Sequence, residues 1–385
     1  MKKLVSVLLA AFLAVGCLVG CGSGNNGNNG SNQSASKDGS DIADDMTSKD
    51  GKYQVALVTD IGQLKDKSFN ESSWNGVKIY AYNNDKSYKY YQPANGNEAT
   101  DDDRFNAMKA AVDGGAEVIV CPGFSQAAAL TKAAATYPDV KFIFLDGWVL
   151  TDENDKPFTN IAAVSYQEEQ CGYFAGYAAV KEGYEKLGFT GGGGGTNPAC
   201  CRYLYGYLQG ANDAAKEMDK NIEIKYTWLY GGSFSASQEL QTLVDGWYTN
   251  GTEIVFSCGG SICQSVFAAA EANNGMTIGV DVDQAGDSKT VLTSALKGLT
   301  ASVTKMCGIF YDGKWDTVGG QCSNLGAADD ATGLPTADAS WRFKKFTVEE
   351  YNALFDKVVK GEVKIDADYG TFNQKFSNAT VSEVK

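Results

Sequence analysis

From Tyr53 onward the chain alternates short apolar runs with amphipathic segments, and this alternation restricts the fold more than any other feature. The first β-rich run ends at Asp60, and strand-like and helix-like segments then follow one another. A second set with the same order runs from Leu187 to Asp281. Continuous apolar strands that alternate with helices are typical of parallel sheets covered on both faces. The pattern therefore predicts an α/β fold with two lobes of similar build.

Two predicted helices begin with a capping box, in which a Ser hydroxyl and a Glu or Gln three residues later bond the first-turn amides reciprocally. The boxes are residues 68–71 and 235–238. Phe234 precedes the second box, where it would normally contact an apolar residue four positions into the helix. That position holds Glu239, so we expect the ring of Phe234 to need another surface.

Composition excludes several classes of function. The chain has no histidine, which removes Ser-His-Asp and Cys-His catalytic arrangements and histidine-ligated metal sites. Its formal charge is −14, from 33 Lys and Arg against 47 Asp and Glu, whereas nucleic-acid-binding surfaces are basic. We therefore expect a protein that is not an enzyme, uses no cofactor or metal, and has no nucleic-acid partner.

The cysteines do not indicate a metal site either. Two of the ten lie in the N-terminal leader, and none of the remaining eight forms a Cys-x-x-Cys pair. An exported protein permits disulfides. Cys258 with Cys263 is one possible pair, although connectivity cannot be read from the sequence.

The N-terminus has the pattern of an export signal. Met1–Lys3 is basic, and an apolar run too short for a good membrane span follows to Val19. The residues Leu-Val-Gly-Cys ending at Cys21 match the bacterial lipobox, which implies a signal peptide over 1–20 and lipid attachment at Cys21. Cys17 is a weaker alternative, and a plain secretory signal is another. Residues 21–51, rich in Gly, Ser and Asn, are predicted to be a flexible tether, so the protein would be held on the extracytoplasmic face of the cell membrane by lipid alone.

Polar and aromatic residues stand where the predicted strands end. Ligands of open parallel sheets bind beyond these carboxyl ends. Asp60 could accept hydrogen bonds from a ligand, and rings of Phe69 and Phe234 from opposite lobes could clamp a flat one. Asp281 and Lys297 suit the two hydroxyls of a vicinal diol. An Asx turn at Asp60, a core position for Phe69 and a solvated Asp281 and Lys297 are the structural alternatives.

Two further motifs have simpler interpretations. The five glycines at 191–195 follow a strand but lack the Gly-Lys-Ser/Thr of a phosphate loop, which favours a mobile loop at the cleft rim. Asp101–Asp103 lacks the spacing of a calcium loop and is interpreted as the start of a helix.

Four segments together resemble the basic membrane protein family, also described as PnrA-like: VALVTDIGQLKDKSFNESSWNGVK, YPDVKFIFLDG, NIAAVSYQEEQCGYFAGYAA, and GVDVDQ followed by VLTSALKG. Members of this family are nucleoside-binding lipoproteins that serve as substrate receptors of ABC importers. The resemblance covers about residues 53–312 and implies a two-lobed type I periplasmic-binding-protein fold with three crossovers at the hinge.

The resemblance also implies roles for individual positions. Thr59 and Asp60 would contact the purine edge, and Phe69 and Phe234 would stack on opposite faces of the base. Further polar contacts would come from Asn70, Ser125 and Gln126. Those that would hold the ribose hydroxyls are Gly260, Asp281 and Lys297. The polar residues after Phe124 and the segment from the glycine run to Cys200–Cys201 depart from the family's usual pattern, so the base preference and the rim are open.

The expected function is capture of a purine nucleoside between the lobes and delivery to an ABC permease. The predicted lobes are residues 52–164 plus about 282–316, and 165–281 plus about 317–385. A receptor for a sugar or another small solute, a nucleoside hydrolase that uses Asp60 and Asp281, and a structural surface protein are the alternatives.

Overall fold

The computed structural model of the chain describes residues 39–61, 63–371 and 376–385. The predicted signal peptide, both candidate lipidation sites (Cys17 and Cys21) and residues 22–38 of the predicted tether lie outside the described residues. Within the described ranges, the helices are all too short or too polar to cross a membrane.

Strands and helices alternate as the sequence predicts. The strands are β1 (Val55–Val58), β2 (Tyr88–Tyr91), β3 (Val118–Pro122), β4 (Lys141–Leu145), β5 (Ile161–Tyr166), β6 (Lys186–Gly191), β7 (Ile222–Thr227), β8 (Ile254–Cys258), β9 (Met276–Asp281), β10 (Val291–Lys297), β11 (Cys322–Leu325), β12 (Thr332–Gly333) and β13 (Ala379–Glu383). The helices are α1 (Phe69–Asn83), α2 (Asp101–Asp113), α3 (Ala127–Thr136), α4 (Glu168–Glu182), α5 (Pro198–Glu217), α6 (Gln238–Thr249), α7 (Ile262–Asn273), α8 (Leu299–Tyr311) and α9 (Val348–Val359).

The first lobe is built on a parallel sheet with the strand order β11-β5-β4-β3-β1-β2. Its central strands β1, β3 and β4 are almost wholly buried because both faces of the sheet are covered. Val55 and Leu57 of β1 pack in the cluster formed with α1 and α8, whereas Ala56 and Val58 pack in the cluster formed with α2 and α3. Alternate side chains of one strand thus pack into two separate cores, one on each face of the sheet.

The second lobe is built on a sheet with the order β12-β10-β9-β8-β6-β7-β13, in which only the β10–β12 pairing is antiparallel among the described strands. Helices α4 and α5 pack on one face in the largest core cluster, and α6 and α7 pack on the other. The two-lobed, mostly parallel α/β fold predicted from the sequence is confirmed.

The chain passes between the lobes three times: from β5 to α4, from β10 to α8, and from β11 to β12. These crossings differ from the predicted boundaries. The predicted return to the first lobe at about 282 falls at about 298 instead, because β10 pairs with β9, with Leu296 opposite Asp281. After 317, β11 still extends the first sheet beside β5 before the chain returns.

The last part of the predicted tether is packed on the first lobe. Ile42 is buried, and its carbonyl accepts a hydrogen bond from Lys78 Nζ at 3.1 Å. Asp44 accepts hydrogen bonds from the same ammonium and from the Trp74 indole, both at 2.9 Å. The tether prediction is therefore wrong for residues 39–51, because the buried ammonium of Lys78 binds this segment.

Two local predictions also differ from the structure. Helix α6 begins two residues later than the predicted capping box places it. The hydroxyl of Ser237, and not that of Ser235, accepts a hydrogen bond from the first-turn amide of Leu240 at 3.1 Å. Cys258 and Cys263 are both buried free thiols, so the possible disulfide between them is absent from the described part of the chain.

Candidate functional site

A cavity that opens to solvent lies between the lobes, beyond the carboxyl ends of the parallel strands. Ligands of open parallel sheets bind at this position in the fold. The first lobe lines it with Asp60, Ile61, Asp66, Phe69, Asn70, Gly123 and Asp146. The second lobe lines it with Asn197, Ala199, Cys200, Tyr203, Phe234, Cys258, Gly259, Gly260, Val280, Asp281 and Lys297.

The structure brings most of the predicted site residues to this cavity. They are Asp60, Phe69, Asn70, Phe234, Gly260, Asp281 and Lys297. The other three lie behind the wall. Thr59 is buried, and Gln126 Nε2 donates to the carbonyls of Val58 and Thr59 at 3.0 and 2.9 Å. Ser125 Oγ donates to the carboxylate of Asp60. These three residues thus support Asp60 and the end of β1.

Asp60 is one of three carboxylates that the first lobe contributes to the cavity wall. Burial raises its pKa from 3.8 to about 7, although the guanidinium of Arg104 opposes the shift. The carboxylate packs directly on Gly123, where φ is +94° and a side chain would overlap it. Asp60 can therefore change its protonation state near neutral pH, which matters for any ligand that donates a hydrogen bond to it.

The start of α1 is held by Asp66 and not by the predicted capping box. The Asp66 carboxylate accepts the amides of Ser68, Asn70 and Glu71 at 2.9, 3.0 and 3.1 Å. The Ser68 hydroxyl makes no capping bond and donates instead to Asp281 at 2.5 Å. The box at residues 68–71 is therefore wrong. An Asp three residues before the first helical residue was the available signal, because Asp side chains readily bond backbone amides a few residues on.

Asp281 ends β9 in a left-handed conformation, with φ +65°. Besides the Ser68 hydroxyl, it accepts a hydrogen bond from Tyr203 OH at 3.3 Å. Burial raises its pKa, and the charge of Lys297 opposes this. The carboxylate thus stands in the cavity wall with donors from both lobes around it.

Lys297, at the end of β10, is almost completely buried. Its ammonium lies 2.7 Å from each carboxylate oxygen of Asp146 and 3.1 Å from Glu168. It also lies 5.0 Å from the ring centres of Phe69 and Tyr166, within range of a cation–π contact. The predicted pairing of Lys297 with Asp281 is thus replaced by two direct ion pairs with other carboxylates.

Glu168 and Asp146 are not among the site residues predicted from the sequence. Glu168 opens α4, and its other partner is Arg202, at 2.6 Å. Burial alone would raise the pKa of Glu168, but the charges of Lys297 and Arg202 hold it below its usual value. A buried lysine needs counter-ions. That requirement was a signal that a carboxylate should be sought near Lys297, without indicating which one.

Phe69 and Phe234 enter the cavity from opposite lobes, and both are half-buried. The glycine run supplies the surface that the sequence left missing for Phe234. A side chain at Gly192 would overlap this ring, and one at Gly259 would come within 3.2 Å of it. Phe234 itself has φ +55°, which turns the chain sharply before α6.

The cavity is acidic. Asp60, Asp66, Asp146 and Asp281 line it, and Lys297 is the one basic side chain among the described residues that do so. Such a wall accepts hydrogen bonds from hydroxyl and amino groups, whereas an anionic ligand would meet like charge. The site therefore fits a neutral, donor-rich ligand with a flat apolar part.

Two parallel-sheet lobes around a cavity at their strand ends define a periplasmic-binding-protein-like fold. A solute-binding protein of an ABC transporter system from Aeropyrum pernix K1 is similar in structure, with a TM-score of 0.68 and 20% identity over 83% of this chain and 95% of that one. One from Conexibacter woesei DSM 14684 has a TM-score of 0.63 and 20% identity over 82% and 99%.

The family model Bmp, described as ABC transporter substrate-binding protein PnrA-like, matches residues 53–368. The chain therefore belongs to this family, which confirms the resemblance seen in its motifs. It is 27% identical to the ABC transporter nucleoside-binding protein BmpA of Lactococcus lactis, over 82% of this chain and 86% of the relative. It is 26% identical to basic membrane protein A of Borreliella burgdorferi, over 83% and 90%.

Proposed function

We propose that this substrate-binding protein captures a purine nucleoside between its lobes and delivers it to the permease of an ABC importer. The observation that carries the proposal is the pair Phe69 and Phe234, which enter one cavity from opposite lobes. A planar base between the two rings would gain about 0.5–1.5 kcal/mol per ring beyond its burial. The Lactococcus lactis relative is named a nucleoside-binding protein, which supports the same ligand class.

The charged groups of the cavity favour a nucleoside over a nucleotide. In the proposed complex the ribose hydroxyls donate to Asp281, near Lys297, and the base edge donates to Asp60. A phosphate would instead add negative charge beside four lining carboxylates. We propose that the protein binds its ligand without chemical turnover, and that lipid on Cys21 anchors it on the extracytoplasmic face.

Calorimetric titration tests the ligand class. We expect saturable binding of guanosine, inosine or adenosine, with much weaker binding of the matching 5′-monophosphate and of ribose. The variant Phe234→Ala should lose most of the affinity, whereas Tyr230→Ala changes an exposed aromatic residue nearby and should not. Binding of ribose or galactose without any nucleoside would refute the proposal in favour of a sugar receptor.

The enzyme alternative needs a separate measurement. Prolonged incubation of inosine with the purified protein should release no free hypoxanthine above a protein-free blank. Release that is lost in Asp60→Asn and Asp281→Asn would instead establish a nucleoside hydrolase.

A further inference from the structure

The two lobes contact each other through polar groups as well as through the shared cavity. Lys67 at the rim of the first lobe forms an ion pair with Asp287 of the second at 2.5 Å, and its carbonyl accepts from Gln284 at 2.9 Å. The side chains of Lys67 and Asp287 are partly exposed, and exposed ion pairs contribute about 0–1 kcal/mol. This ion pair is therefore a weak determinant of closure.

The ion pair of Asp146 with Lys297 also joins the lobes, and it is buried. Asp146 follows β4 of the first sheet, and Lys297 ends β10 of the second. The side chains are 12% and 2% exposed, so solvent screens their attraction little. Asp146 has φ +52°, a conformation that fixes the direction of its side chain at the strand end.

Lys297 has a second carboxylate partner, and that partner lies in its own lobe. Glu168 begins α4, which packs on α5 and on β10 in the second lobe. Separation of the lobes therefore breaks the contact of Lys297 with Asp146 and preserves its contact with Glu168. The same ammonium thus has one partner that depends on closure and one that does not.

Closure also brings like charges together. It places Asp281 of the second lobe in the same cavity as Asp60, Asp66 and Asp146 of the first. Lys297 offsets this repulsion most strongly where it is closest, at 2.7 Å from Asp146. A change that removes the Asp146 charge removes this buried ion pair across the cleft, whereas the hydrogen bond from Ser68 to Asp281 remains.

We infer that Asp146 is a positioning residue for lobe closure: its carboxylate binds Lys297 across the cleft and stabilises the closed form around the ligand. This role goes beyond the choice of ligand, because it sets how long any ligand stays enclosed. The matched control is Glu168, which contacts the same ammonium within one lobe.

The test compares Asp146→Asn with Glu168→Gln in the whole protein. Small-angle X-ray scattering of the ligand-free proteins should give a larger mean radius of gyration for Asp146→Asn than for wild type, and no change for Glu168→Gln. In a Lys297→Met background, Asp146→Asn should cause no further expansion, because the partner is already gone. Circular dichroism and thermal unfolding confirm that each variant is folded.

Stopped-flow binding of guanosine provides a second readout, which rests on the proposed function. A ligand enters the open form, so Asp146→Asn should leave the association rate unchanged and raise the dissociation rate by about 10- to 100-fold, as expected for loss of a charge-assisted contact. Glu168→Gln should change the dissociation rate less than threefold. A variant that merely folds less well would bind less guanosine in total, and its association and dissociation rates would not change in this unequal way.

Equal scattering from wild type and Asp146→Asn with equal dissociation rates would overturn the inference, and so would equal effects of the two substitutions. If no nucleoside binds to wild type, the proposed function fails and the scattering comparison alone decides the role of Asp146.

Discussion

The substitution Gly192→Ala should reduce ligand affinity without unfolding the protein. Gly192 has φ −75° and ψ 167°, an extended conformation that alanine adopts freely, so the backbone gives no reason for a loss. The added methyl would overlap the ring of Phe234, of which even Cζ is only 3.0 Å away. Because Phe234 is half-buried and borders the cavity, its ring can turn away from Gly192.

A displaced ring would lose its stacking and part of its burial against the base. The stacking contributes about 0.5–1.5 kcal/mol, and burial of a large apolar side chain about 1.5–3 kcal/mol. Loss of the first and part of the second is about 1–3 kcal/mol. At about 1.4 kcal/mol per tenfold change, guanosine affinity should fall by about 5- to 150-fold.

The control is Gly232→Ala in the neighbouring loop. A side chain at Gly232 would meet no atom within 4 Å, and its φ lies outside the left-handed region. Calorimetry should therefore give wild-type affinity for Gly232→Ala, and thermal unfolding should show a small shift for both variants. Wild-type affinity in Gly192→Ala, with Phe234→Ala impaired, would refute the reasoning about this contact.

Three further predictions concern protonation, packing and thiols. Burial raises the pKa of Asp60 to about 7. If the base donates a hydrogen bond to ionised Asp60, guanosine affinity should rise about tenfold from about pH 6 to 8. In calorimetry, Asp60→Asn should remove this pH dependence. The Asp60 contribution to folding stability has the opposite sign and falls as the pH rises from 3.8 to about 7, because the folded form retains the proton longer. Asp44→Ala leaves the buried Lys78 ammonium with one acceptor fewer and should lower the free energy of unfolding by about 1–3 kcal/mol, measured by urea titration against Asp45→Ala. Cys322 is exposed and should react with DTNB in the native protein, whereas the cysteines from 121 to 307 are buried and should react only after denaturation. Peptide mapping identifies the labelled thiols, and rapid labelling of any cysteine from 121 to 307 would contradict this packing.

Much of the fold could be predicted because its main signal is local. Residues of β1 are apolar at every position, and only a sheet covered on both faces buries such a strand completely. The lobe boundaries could not be read in this way. The residues of β10 would suit either sheet. Its pairing with β9 depends on residues more than ten positions away and not on its own sequence.

Site residues could be predicted from the sequence where they lie at the carboxyl ends of strands. Asp60 and Asp281 follow strands whose carboxyl ends meet at the cleft. The partners of these groups were not predictable, because they come from distant parts of the chain. Ser68 and Asp281 are 213 residues apart, and a Ser-x-x-Glu sequence favours a local cap over such a contact.

The predicted tether also forms contacts with distant residues that the sequence does not indicate. Composition identifies a segment that cannot form its own core, but it does not reveal a surface that binds the segment. Asp44 lies in such a polar stretch and nevertheless binds the buried Lys78.

The three passages between the lobes have a consequence for biosynthesis. The first sheet receives its edge strand β11, and helix α1 its neighbour α8, from residues translated after most of the second lobe. Multidomain chains usually fold from the N-terminus as each unit emerges from the ribosome. In this chain α1 lacks its neighbour α8 until synthesis has passed β10. The first lobe therefore cannot complete its packing before most of the second lobe has been made, and the two lobes reach their final packing together.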